Sequence, residues 1–123
     1  MNIEQVRNIE QTLELKLPSD YVQIITNYPS KLSSTEAPDF GLLDDPDKII
    51  QENKYVLENG ACGGPWPMQY FIIGINGCGD YYVIKHQESK FSVGFADHEV
   101  ASIDFYAKDL EDFTEKLLKE MNG

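Results

Sequence analysis

The chain has 123 residues, 41% hydrophobic and 25% charged, with 21 acidic against 10 basic residues for a formal net charge of −11. That length suits one domain over residues 1–123, large enough to bury a core without disulfides or a structural metal. The charge disfavours direct binding of nucleic acid or anionic lipid and favours cationic partners, and no apolar run approaches the roughly 18 residues that span a bilayer.

The acidity is uneven. Residues 1–35 sum to −1, 36–58 to −5, 59–96 to zero and 97–123 to −5. The opening "MNIEQVRNIEQ" has no basic segment leading into an apolar one, unlike a secretory signal. The expected location is the cytoplasm, with Cys62 and Cys78 reduced and not part of a disulfide framework.

In chain order, Ile3, Val6, Ile9 and Leu13 recur at steps of three and four, predicting a helix. "LPSDYVQIITNYP" predicts a second helix, with Pro18 in its first turn, Tyr21, Ile24, Ile25 and Tyr28 as its stripe, and Pro29 as its stop. Residues 29–40, rich in Ser and Pro, are expected to be a loop. "LLDDPDKIIQENKYVLENG" holds a third helix, N-capped by Asp45, opened by Pro46 and ended by Asn59-Gly60. Its expected buried side is Ile49, Ile50, Val56 and Leu57.

From Met68 the composition changes to aromatic and β-branched residues. "MQYFIIGI" and "DYYVIKH" predict two strands joined by a Gly/Asn turn, "KFSVGF" a third and "EVASIDF" a fourth. "DLEDFTEKLLKEM" closes as a helix with Leu110, Phe113, Leu117 and Met121 inward; its acids crowd the first turn and its lysines the last. Helices at both ends around consecutive strands predict an α+β domain, its sheet largely antiparallel with about four to six strands.

The segment "GINGCGD" offers the most obvious chemistry. A dinucleotide loop requires a helix after the glycines, and here a strand follows; the Lys-Ser/Thr tail of a P-loop is missing as well. A hairpin turn is the expected role. Cys78 with His86 or His98 would form a nucleophilic pair only if the fold united them, and neighbouring acids raise a thiol's pKa. Cys62, Cys78, His86 and His98 lack the short ligand spacing of a metal site. Pairs such as Asp44/Asp45 and Asp97/Glu99 arise readily in so acidic a chain and read as solvated surface. No catalytic, cofactor or metal residue is assigned, and the expectation is a protein that is not an enzyme. Trp66 reads either as a plug between sheet and helix or as an interface anchor.

Several pieces, in order, resemble the SUKH superfamily, the Smi/Knr-like domains: "LELKLPSDYVQII", "GLLDDPDKIIQEN", "WPMQYFIIGINGCGDYYVI", "VGFADHE" and "AKDLEDFTEKLL". The chain departs from that pattern in having "NYPSKL" where Asn-Gly-Gly is frequent, and Lys85 where an acid is common. The resemblance implies an α+β binding domain, most often a bacterial immunity protein that neutralises a toxin, frequently a nuclease. Other members act as interaction or regulatory modules with an endogenous partner. A cationic nuclease toxin is therefore the expected partner, with nucleic acid, membrane and cofactors not expected and no oligomeric state implied. Candidate contact residues, chosen on charge and position, are Trp66, Tyr70, Asp80, Tyr82, Asp97 and Glu99 near the sheet, and Asp39, Asp44, Asp45, Asp47 and Glu52 along the acidic middle.

Overall fold

The computed structural model describes residues 1–61, 64–97 and 102–122. Helix α1 runs Ile3–Leu13 and opens with a capping box: Gln5 N donates to Asn2 Oδ1 at 2.8 Å, and Asn2 N donates to Gln5 Oε1 at 2.9 Å. Glu10 Oε2 accepts from Leu17 N at 2.7 Å, steering the chain into α2, Ser19–Thr26. Pro18 is the N-cap of α2, one step before the expected position. The stretch expected to be loop contains one helical turn, α3, Ser30–Ser33, which points Leu32 fully into the core.

Helix α4, Pro46–Asn59, begins as predicted, with Asp45 Oδ1 accepting from Asp47 N at 2.9 Å. Its buried side differs from the expected one. Ile49 and Val56 are buried and Ile50 is half-buried, but Leu57 is 43% exposed, and Asn53 takes the interior position. The strands are β1 Tyr70–Ile75, β2 Tyr81–Lys85, β3 Val93–Ala96 and β4 Ile103–Ala107, followed by α5, Leu110–Asn122. They form one antiparallel sheet in the order β1-β2-β3-β4. Strand β4 takes in Ile103, Asp104 and Phe105 of "EVASIDF"; residues 99–101 of that stretch lie outside the described residues. The protein is thus α+β, as its sequence predicts.

One sheet face carries the main core. Phe71, Ile73, Tyr82, Ile84 and Val93 pack there against Val6, Ile9, Tyr21, Ile25, Phe113 and Leu117 from the helices. The other face carries a small cluster, Ile72, Val83 and Ala96, under Val56 and Trp66. Strand β1 is a sheet edge beside α4, and Asn53 joins the two. Ile72 N donates to Asn53 Oδ1 at 2.9 Å, while Asn53 Nδ2 donates to Ile72 O at 3.1 Å and to Ile49 O at 2.9 Å. Leu43 N adds a bond to Ile73 O at 3.0 Å. A side chain and a loop thus satisfy edge groups that a fifth strand would otherwise pair.

Tyr21 meets Phe71 edge-on at 5.5 Å between centroids and is fully buried, yet among the described residues its hydroxyl finds no hydrogen-bond partner. Burial, reinforced by Asp44 and then Tyr28, holds the phenol far above its ordinary pKa, so it stays neutral. A buried hydroxyl without a partner contributes a desolvation cost and no bond. Tyr21→Phe is therefore expected to leave stability unchanged or raise it by up to about 1 kcal/mol in urea unfolding; a loss above about 1 kcal/mol would mean that the hydroxyl is bonded in solution.

Candidate functional site

The glycine segment forms the β1–β2 hairpin loop. Asn76 organises it through its side chain: Oδ1 accepts from Cys78 N and Asp80 N, both at 2.9 Å, and Nδ2 donates to Asp80 Oδ2 at 2.9 Å. The left-handed residue is Gly79, at φ 88°. Cys78 is exposed at this loop, whereas His86 follows the opposite end of β2, so a strand length of roughly 17 Å separates them. The His86 ring is itself engaged with Met68 O at 2.9 Å. The Cys78–His86 pair weighed from sequence is therefore not assembled, and His98 lies outside the described residues.

Two of the expected contact residues point inward. Tyr82 is 5% exposed and packs among Phe95, Tyr106 and Phe113, with ring centroids 5.0–5.7 Å away. Asp80 is 7% exposed and closes the hairpin loop with Asn76. Neither presents a side chain to a partner, because the alternation of β2 turns Tyr81, Val83 and Lys85 to the opposite face. Glu99 lies outside the described residues, and Asp97 is half-buried just after β3.

The acidic middle is divided between scaffold and surface. Asp45 is occupied as the α4 cap, and Asp44 is half-buried near the hydroxyls of Tyr21 and Tyr28. Asp39 and Asp47 are exposed, and Glu52 is half-buried along α4.

The less covered face of the sheet gathers the remaining candidates. Trp66 is 7% exposed, donates Nε1 to Tyr70 O at 3.1 Å and stands edge-on to Tyr81 at 5.9 Å. It is chiefly the plug of the small cluster, packed on the sheet beside Val56 of α4. Beside it, Pro65, Pro67, half-buried Tyr70 and Ile103 line an open groove of about 390 Å³. A second hollow of about 170 Å³ continues past Tyr70 to Lys85, Gly94 and Phe105. Met68 and Phe105 are 78% and 68% exposed. Neither Phe105 nor Ile103 was singled out for contact from sequence. Their two-residue spacing in "SIDFYA" places both on one strand face, a signal that also fits a covered strand. Large apolar groups exposed beside grooves are suited to protein contact.

Among the described residues, no helix is long and apolar enough to cross a membrane. Neither curated proteins nor solved structures yield a match to this chain. The model of the SMI1/KNR4 family (SUKH-1) matches residues 1–116, nearly the whole length, in agreement with the helix–hairpin–helix order of the fold. The chain belongs to the SMI1/KNR4 (SUKH-1) family.

Proposed function

We propose that this domain is an immunity protein, which binds a cognate toxin of cationic, nuclease type inside the producing bacterium and neutralises it by stoichiometric occupation of its working surface. Family membership over residues 1–116 is the observation that carries this reading, since it favours a protein-interaction module. The net charge of −11 supplies the chemistry of the partner. Nuclease domains hold phosphates with basic surfaces, and an acidic protein competes for those surfaces and is steered to them. Activity on this reading is inhibition without turnover, and no side chain acts as nucleophile, acid or base.

Co-expression with the reading frame next to the gene tests it. The expected result is arrest of growth by the neighbour alone, rescue by this chain, and a complex that co-purifies at one to one. A harmless neighbour, or rescue without a complex, would overturn the reading.

A further inference from the structure

The two edges of the sheet are finished differently. Strand β1 is closed by Asn53 and Leu43, as described above. Strand β4, the opposite edge, has less cover: among the described residues its main chain receives one hydrogen bond from outside the sheet, from Lys116 Nζ to Tyr106 O. An edge with unpaired N–H and C=O groups is a template for another strand.

The side chains point the same way. Register places two rows across the less covered face, Ile72–Val83–Gly94–Phe105 and Ile75–Tyr81–Ala96–Ile103. The first row starts beneath Val56 and Trp66 and ends at β4 in Phe105, 68% exposed. A strand added beyond β4 would extend both rows and cover that ring. Between Ile103 and Phe105, exposed Asp104 projects to the other face; Lys116, whose Nζ bonds Tyr106 O and lies 5.8 Å from the Phe105 centroid, is a cation at this edge, within a segment, residues 97–123, whose net charge is −5. Two copies paired edge to edge would set two such acidic segments together, whereas a basic segment would neutralise one.

We infer that β4 is the docking edge of this domain, and that its occupant is an extended partner segment of alternating basic and apolar residues, added to the sheet as a fifth strand. This rests on the reading of the domain as a binder of a cationic protein.

The test uses the full chain, isotopically labelled, with the synthetic peptide acetyl-(Lys-Val)4-amide as probe and acetyl-(Glu-Val)4-amide as control. The expected result is amide shift changes confined to β3, β4 and the neighbours of Phe105, at least tenfold slower hydrogen exchange within Ile103–Ala107, and no response to the acidic peptide. Asp104→Lys is expected to weaken the basic peptide at least fivefold with an unchanged melting temperature. Shifts centred on Asp39–Glu52, no shifts at all, or a dimer that forms through β4 and blocks the peptide would overturn the inference. Rescue in co-expression without peptide pairing would remove the docking edge and leave immunity standing; peptide pairing without rescue would do the reverse.

Discussion

Gly74→Ala is expected to destabilise the protein by about 4 kcal/mol, at the extreme of single substitutions, and to leave much of the chain insoluble. Gly74 lies in β1 where the register with β2 shifts, and the loop before α4 passes directly against it. A Cβ built there would lie 1.4 Å from the carbonyl oxygen of Gly41. Backbone atoms on both sides leave nothing to rotate away, so either β1 or the loop must move. Moving the loop endangers the Leu43 N to Ile73 O bond and the buried Leu42 and Leu43 side chains. Gly77→Ala is the control: its added Cβ meets nothing within 4 Å, and the expected change is within about 0.5 kcal/mol. Urea unfolding of the two variants measures the contrast. A Gly74→Ala protein within about 1 kcal/mol of the parent would contradict this close approach.

Asn53→Leu is expected to cost about 3 kcal/mol, because side-chain volume is retained while the buried N–H and C=O of Ile72 lose their partner. Asn53→Asp restores an acceptor for Ile72 N and not a donor for Ile72 O, and it buries a charge, so it is expected to fare no better near neutral pH. Because β1 is an edge, both variants should also expose pairing groups and aggregate on warming. Thermal unfolding with light scattering reads both effects: a fall of about 10 °C in Tm with scattering is expected. An Asn53→Leu protein that melts with the parent would show that Asn53 does not secure the edge.

These two positions mark what the sequence makes legible and what it hides. Asp45-Pro46 announces the start of α4, because capping depends only on residues a turn apart. The hairpin around Asn76–Asp80 is equally local, as are the inward residues Phe113 and Leu117 of α5. Asn53 looks like an ordinary polar residue of an amphipathic helix, and Leu57 like one of its buried ones. Only the position of β1, 19 residues away in sequence, reverses their roles. Gly74 likewise reads as a weak spot in a strand until Gly41 is seen against it.

The candidate contact residues show the same division. Tyr82 and Asp80 have the chemical type of contact residues and lie beside the turn, yet the sheet turns both inward. Nothing local in the sequence marks Phe105 and Ile103 as exposed, because exposure of a strand face depends on which helices cover it. Trp66 had two open readings, and packing against Ile72, Val83 and Ala96 makes it chiefly a core plug at the margin of the groove. Net charge needs no fold, and the proposal takes the character of the partner from it.

The rate at which the purified chain associates with the cationic toxin proposed as its partner, followed from about 50 to 500 mM salt, bears most directly on the proposed mode of action. Steering by a −11 protein predicts a fall of about tenfold or more across that range, with the dissociation rate changing far less. An association rate that stays flat would contradict it.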